Sequence, residues 1–274
     1  MPEGPEIRRA ADIVAAAIEG KTAIEVSFGL PELQPWGARL SGQKISRIET
    51  RGKAMLTRFG NGYTIYSHNQ LYGRWLCVPA GEWPQTNRSL RLAIKTDDQW
   101  ALLYSASDIE VLENDKVAAH PFVSRLGPDV LDGTTTTTLI EERLLGRRYR
   151  NRRLGNFLTD QQFAAGLGNY LRCEILFTTR LSPARKPAEL SEQEITSLAA
   201  AILELPRQSY STEGITNRLD RAHQLMDAGS SFEDARFQVF RRAGKPCYRC
   251  GEAIIKAQSG GQACYFCPTC QQIT

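Results

Sequence analysis

Two Cys-x-x-Cys pairs lie near the carboxyl end of the sequence, Cys247 and Cys250 in CYRC and Cys267 and Cys270 in CPTC, with sixteen residues between them. Two knuckles at this spacing bring four thiolates round one tetrahedral ion, which predicts one structural zinc (Zn2+) held by these four cysteines. The 28 residues from Cys247 onward are too few to bury a core of their own, so the tail depends on that staple to fold. Cys264, three residues before Cys267, is a competing ligand; Gly251 after the first pair and Pro268 within the second favour the outer four. Cys77 and Cys173 read as core fillers.

Ahead of the tail the periodicity changes twice. Ile7, Ala10, Ala11, Val14, Ala15 and Ile18 form a helical stripe that opens with Pro5 in its first turn and ends at Gly20. Seven β-rich runs follow: TAIEVSF from Thr22, KISRIE from Lys44, AMLTRF from Ala54, YTIYSH from Tyr63, RWLCV from Arg74, LRLAIK from Leu90 and WALLYS from Trp100. Short strands at this spacing predict an antiparallel sandwich or barrel. The run Thr134 to Thr138, after GPDVLDG, suits a linker over 129–138. Beyond it the pattern is helical, as in SEQEITSLAAAILELP, where Ser191 and Glu194 make a capping box and Pro206 stops the helix.

The composition, 42% hydrophobic and 23% charged, excludes collagenous, disordered and disulfide-scaffold chains. The first residues lack the basic and apolar regions of a secretory signal, and no apolar run approaches the roughly 20 residues of a membrane helix. The expectation is a cytoplasmic chain with reduced thiols and no membrane association. Lys and Arg exceed Asp and Glu by 34 to 30, a mild +4, so the placement of charge matters more than its sum. RLLGRRYRNRR, from Arg143 to Arg153, holds six arginines and no acid, and five more bases run from Arg236 to Arg249. Most charged runs are solvated faces; the excess of Arg over Lys, the interleaved Tyr149 and the adjacent cysteine module favour phosphate contacts.

AAGLGNYLRCEIL places two glycines between helical segments with Asn169 opening the next helix, where backbone amides can hold phosphate. At the amino terminus, Glu3 and Glu6 could simply complement a helix dipole. Removal of Met1 would leave Pro2 as a secondary amine, and a terminal amine near pKa 7.7–8.0 keeps a useful neutral fraction.

PEGPEI, TRGKAML, SHNQLYG, GPDVLD, AGLGNYLR and the paired CxxC, in this order and across the whole chain, resemble the formamidopyrimidine-DNA glycosylase / endonuclease VIII family. The resemblance implies an α+β, multidomain architecture: a catalytic β-sandwich with an amino-terminal helix (1–128), a linker (129–138), a helix-two-turn-helix DNA-binding domain (139–235) and a four-cysteine zinc-finger hairpin (236–274). It also implies a monomeric base-excision repair enzyme acting on damaged double-stranded DNA, with Pro2 as nucleophile, Glu3 as general acid/base beside Glu6, and Lys53 as a second proton donor. Gln70, Leu71 and Tyr72 would fill the hole left by the extruded base, and Arg125 and Asn169 would contact the backbone. PEGPEI and NQLYG match the endonuclease VIII branch, directed at oxidised pyrimidines, more than its purine-directed sister. Two departures stand out. Gln262 occupies the place of a family arginine associated with phosphate contact and δ-elimination, and 212–237, where the family has a loop over the everted base, matches poorly. A zinc and helical DNA-binding protein without catalysis is the alternative, against which the intact Pro2, Glu3 and Lys53 argue.

Overall fold

Pro5 in the first turn and an apolar stripe spaced by three and four set α1 (Gly4–Ile18), which buries Ile7, Ala11, Val14 and Ile18. The structure, a computed structural model, describes residues 2–272 and divides into two units, the break falling after Arg125. In the first, α1 is followed by β1 (Glu25–Phe28), α2 (Gln34–Leu40), β2 (Ile45–Arg51), β3 (Ala54–Phe59), β4 (Tyr63–His68), β5 (Arg74–Pro79), β6 (Leu90–Lys95), β7 (Gln99–Tyr104) and β8 (Asp108–Glu113). The strands form two antiparallel sheets, ordered β1-β6-β7-β5 and β2-β3-β4-β8. Val26, Ile94, Leu103 and Trp75 from one sheet and Ile48, Met55, Phe59 and Ile65 from the other share a core with Ala11, Val14 and Ile18 of α1.

Each of the seven β-rich runs contains a strand. The eighth, β8, is hidden in the sequence by Asp108, Glu110 and Glu113. It is an edge strand paired only with β4, where outward charges cost little and discourage further pairing.

The second unit, from Leu126, contains α3 (Thr137–Leu145), α4 (Leu154–Phe157), α5 (Asn169–Thr178), α6 (Glu192–Ser211), α7 (Leu219–Asp227), α8 (Phe232–Ala235), and a hairpin of β9 (Ile255–Ser259) and β10 (Gln262–Phe266). Gly260 and Gly261, at φ +58° and +76°, form the two-residue hairpin turn that requires positive φ at both positions. Residues 129–138 differ from the linker expected there, because they belong to this unit. Val130 is fully buried and donates its N–H to Ala165 O, Thr135 Oγ1 donates to Asp129 O, and Thr136 caps α3 through Leu139 N–H. The threonines that read as a spacer are a capped helix start.

Pro206 does not stop α6; the helix runs five residues past it to Ser211. The missing amide and the ring clash weigh against the helix, but the extension is fastened on several sides. Leu205, Pro206 and Ser209 are buried, Ser209 Oγ pairs with Tyr170 Oη at 3.0 Å, and Gln208 Nε2 donates to Asn217 O at 2.8 Å. The Ser191–Glu194 capping box forms as expected. The 212–237 stretch is built of α7 and α8 and is no open loop.

Two charges on α5 organise the second unit. Glu174 is fully buried and accepts from Val239 N and Phe240 N on Oε1 (2.8 and 2.9 Å), and from Gln238 N and Thr216 Oγ1 on Oε2 (2.8 and 3.0 Å). Burial pushes its carboxyl above the ordinary range, with these hydrogen bonds opposing. Replacing Glu174 by Gln swaps an acceptor for a donor facing two donors. We expect the loss of about 3 kcal/mol, the order found for unsatisfied buried polar groups, read as a lowered urea midpoint in helical circular dichroism; an unchanged midpoint would remove Glu174 from this role.

Candidate active site and metal centre

The first unit holds Pro2, Glu3, Glu6, Lys53, Gln70, Leu71, Tyr72 and Arg125; the second holds Asn169, Gln262 and the four cysteines.

At the start of α1, Pro2 is half-buried and Glu3 is 3% exposed. Glu6 Oε2 accepts the Glu3 backbone N–H at 2.9 Å, one arm of a capping box, and Glu6 Oε1 lies 3.5 Å from Arg9 Nη2. Glu6 therefore orients the backbone that carries Glu3. Lys53 sits in the two-residue turn between β2 and β3, where Arg51 pairs with Ala54 and Gly52 takes φ +59°. A glycine-first turn of this kind admits a side chain at its second position only, so the RGK sequence fixes where the lysine emerges. Lys53 is buried at 8% exposure. Burial depresses its pKa, while Glu3 and then Glu6 act in the opposite direction. The fold thus brings Glu3, Glu6 and Lys53 into one electrostatic group at the start of α1.

His68 belongs to the same neighbourhood, unmarked by any sequence periodicity. At the end of β4 it pairs in register with Asp108 of β8, and burial lowers its pKa, with Lys53 acting the same way and Asp108 opposing. Its Nδ1 accepts the N–H of Gln70 at 3.1 Å. The signal was present in SHNQLYG, but a histidine at a strand end has no periodicity to mark it.

The β4–β5 crossing, Asn69–Gly73, passes from one sheet to the other. Gly73 N donates to Asn69 O at 2.7 Å, and a Cβ on Gly73 would fall 2.5 Å from that oxygen, so the turn admits glycine alone. Gln70 takes φ +49° and its Oε1 accepts from Ser107 Oγ at 2.9 Å. Arg88 Nη1 donates to Tyr72 O at 2.7 Å. With the backbone so pinned, Leu71 and Tyr72 are 58% and 71% exposed, which removes them from the ordinary strand role. Arg125 is exposed and donates Nε to Pro121 O at 2.6 Å.

In the second unit Asn169 opens α5 as expected, and its Oδ1 accepts from Arg172 Nη2 at 2.6 Å. Gln262 begins β10; its Oε1 is buried and has no hydrogen-bond partner among the described residues. The Sγ atoms of Cys247, Cys250, Cys267 and Cys270 all lie within 4.8 Å of one another, including pairs at 3.9 Å (Cys247–Cys270) and 3.4 Å (Cys250–Cys267). Tetrahedral thiolates about 2.3 Å from one zinc ion would stand about 3.8 Å apart, so the four fit such an ion. Arg249 N and Cys270 N donate to the sulfurs of Cys247 and Cys267. Cys264 lies outside the cluster, its Sγ 4.0 Å from that of Cys173.

The basic clusters are spent largely on the fold. Arg143 donates to the carbonyls of Phe163 and Gln162, and Arg152 pairs with Asp160. Tyr149 is 3% exposed, packed on Phe157 and Phe163; it is a core residue and no stacking platform. In the second cluster Arg242 donates to Gln238 O and Pro246 O, Arg249 to Phe177 O and Thr178 O, and Lys245 pairs with Asp234. Exposed Arg147, Arg150, Arg153 and Arg241 make no side-chain hydrogen bond or ion pair among the described residues.

Lys53 is where burial and charge oppose most directly. We expect its side chain to titrate, in nuclear magnetic resonance, below the ordinary lysine value of 10.5. Glu3→Gln should lower it further by removing the anion that supports the ammonium. Because the native pKa lies below the unfolded one, Lys53 contributes a stability that rises with pH between those two values. A titration at or above 10.5, or an upward shift in Glu3→Gln, would contradict this geometry.

Residues 1–107 match the formamidopyrimidine-DNA glycosylase N-terminal domain and residues 126–220 match its H2TH domain. The protein is similar to Endonuclease 8 of Klebsiella pneumoniae, 51% identical over 271 residues covering 99% of this chain and 100% of that one. It is likewise similar to Endonuclease 8 of Escherichia coli, 50% identical over the same coverage. The fold resembles that of Lactococcus lactis Fpg solved in complex with abasic-site DNA, with TM-score 0.82 at 23% identity over 99% of this chain and 100% of that one. With domain matches over most of the chain and half-identical relatives along its full length, the protein belongs to the formamidopyrimidine-DNA glycosylase / endonuclease VIII family.

Proposed function

We infer that this chain is a bifunctional DNA glycosylase and AP lyase of base excision repair, which removes oxidised bases, pyrimidines preferred, from damaged duplex DNA. The observation that carries the mechanism is the buried group at the start of α1, where Glu3 stands next to Pro2 in sequence and within electrostatic reach of the buried Lys53. Once Met1, which lies outside the described residues, is removed, the Pro2 secondary amine attacks the anomeric carbon of the damaged nucleotide and the base departs. Ring opening gives an iminium, cationic without an extra proton. That cation acidifies the adjacent sugar carbon, a base removes the proton there, and the 3′ phosphate is expelled. Glu3 assists base departure and ring opening, Glu6 holds Glu3 in place, and Lys53 supplies a proton. Leu71 and Tyr72, exposed on a pinned turn, fill the space left by the extruded base, with Gln70 beside them. Arg125 and Asn169 serve the phosphate backbone. Cys247, Cys250, Cys267 and Cys270 would hold a zinc ion, whose binding would supply folding energy to the hairpin that carries Gln262.

Borohydride trapping on abasic DNA tests the nucleophile. The covalent adduct should map to the amino-terminal peptide, and a chain that retains Met1 or an uncleaved tag should bind DNA without trapping. Lys53→Ala should still trap. An adduct on Lys53, or full lyase activity with an acylated amino terminus, overturns the assignment.

Gln262 can hydrogen-bond a phosphate but brings no charge. We expect β-elimination products to accumulate relative to β,δ products, and Gln262→Arg to shift the balance toward δ, as separated by gel mobility. Complete δ product from the unaltered chain would assign that step elsewhere.

A further inference from the structure

Cys173 on α5 and Cys264 in the middle of β10 face each other, Sγ to Sγ at 4.0 Å, each at most 1% exposed and both outside the four-cysteine cluster. The backbone around them is already fastened in register. Arg172 Nη1 donates to Ser259 O at 2.9 Å, Arg172 Nη2 to Ala263 O at 3.1 Å, and Tyr265 N donates to Cys173 Sγ at 3.4 Å. A disulfide at about 2.05 Å therefore needs the sulfurs to close by roughly 2 Å, within reach of side-chain rotation and a small backbone shift. Access comes from one side. Cys264 lines a cavity of about 590 Å³ between the hairpin and the 182–184 segment, with Ser182, Pro183, Ser259, Phe266 and Gln271 among its walls. Of the two cysteines, Cys264 is among the walls of that cavity and Cys173 is not.

We propose that Cys173 and Cys264 are a redox pair that a peroxide converts into a disulfide, cross-linking α5 to the finger hairpin. Cys264 sulfur attacks the peroxide O–O bond, giving a sulfenic acid and releasing the corresponding alcohol, or water from hydrogen peroxide. Cys173 sulfur then attacks that sulfenic sulfur, the S–S bond forms and water leaves. Two thiols are oxidised by two electrons, the peroxide is reduced by two, and the thiol protons end in the released alcohol and water. In a reducing environment the pair rests as thiols. The Arg172 guanidinium and the thiol hydrogen bond from Cys173 favour Cys264 as the attacking sulfur.

The consequence lies in what the cross-link joins. Cys173 is one turn along α5 from Asn169, whose Oδ1 it approaches at 3.9 Å, and Cys264 is two residues from Gln262. A covalent tie at this point keeps the hairpin on α5 when an oxidant or chelator strips the cysteine cluster of metal. The cross-link itself does not depend on the metal reading.

The test uses the full chain treated with hydrogen peroxide, alkylated and digested without reductant. Mass spectrometry should show the loss of about 2 Da per chain, a linked peptide pair containing Cys173 and Cys264, and reversal by dithiothreitol. In hydrogen exchange after chelation, the amides of β9 and β10 should stay protected in the oxidised chain and lose protection in the reduced one. Disulfides mapping to Cys247, Cys250, Cys267 or Cys270 in place of this pair, or Cys264 oxidised beyond sulfenic acid with no link, would overturn the proposal. Equal loss of protection in both chains would remove the stapling role. Cys173→Val, which fills similar space, should abolish the link while leaving the hairpin amides of the untreated chain protected.

Discussion

Helix α5 carries a positive and a negative charge, two residues apart, into the interior of the second unit, and what surrounds the helix is held by what those charges require. Arg172 is 0% exposed and its fork reaches the carbonyls of Gly155, Ser259 and Ala263 and the side chain of Asn169. Glu174, also 0% exposed, gathers the amides of three successive residues, 238–240, and the hydroxyl of Thr216. Each is held by polar groups from other parts of the unit: both terminal nitrogens of Arg172 by α4, the hairpin and Asn169, and both oxygens of Glu174 by the 216–240 segment. An uncompensated buried charge costs several kcal/mol, so α4, the hairpin and the 216–240 segment are bound to one helix by groups that cannot be left unpaired. Arg172 also orients Asn169 and docks the strand that starts at Gln262, so the same constraint positions both residues that this unit is proposed to offer to DNA.

The first unit solves a different problem. The groups proposed to act in it stand at ends and turns: the first residues of α1, a two-residue hairpin, and a crossing between sheets. Positions of this kind leave backbone groups free to be used, and here they are fixed by local rules. Gly73 allows a turn that no larger residue permits, Gly52 takes the left-handed conformation that favours glycine, and Glu6 holds the backbone of Glu3. The sandwich behind them supplies rigidity and a dry boundary. Lys53 could not be depressed in solvent, and Leu71 and Tyr72 could not stay exposed on a turn that was free to collapse.

What the sequence made legible follows from how local each cause is. The α1 stripe, the Ser191–Glu194 box, the seven β-rich runs and the two CxxC pairs are all written within a few residues, and each appears in the structure as read. Lys53 and Asn169 were placed by short motifs that set a turn and a helix start. The misreadings share the opposite property. β8 is a strand because β4 offers it an edge, Pro206 sits inside a helix because tertiary contacts outweigh a local penalty, and Thr136 caps a helix whose start depends on packing at Val130. Arginine is the hardest case. Arg143, Arg242 and Arg249 look in sequence like surface charge for phosphate, yet each donates to main-chain carbonyls that only the folded chain brings near.

Cysteine shows the same division within one residue type. From spacing alone, Cys264 and the outer four compete for one ion. The hairpin resolves the competition through strand geometry: Cys264 lies mid-strand, paired with Ala257, and a residue locked in a ladder cannot turn toward a knuckle. Cys267 comes one residue after β10 ends, where the chain turns and a backbone amide can point at sulfur. Cys264 therefore faces the helix that the hairpin packs on, and there it meets Cys173. A thiol that would be redundant for metal binding is thus placed, by the alternation of a five-residue strand, against the only cysteine of α5. Hairpin and helix are consequently linked through three chemically distinct means at one place: the Arg172 fork, the apolar contacts around Phe177 and Ile254, and a sulfur pair whose bonding state depends on the redox environment.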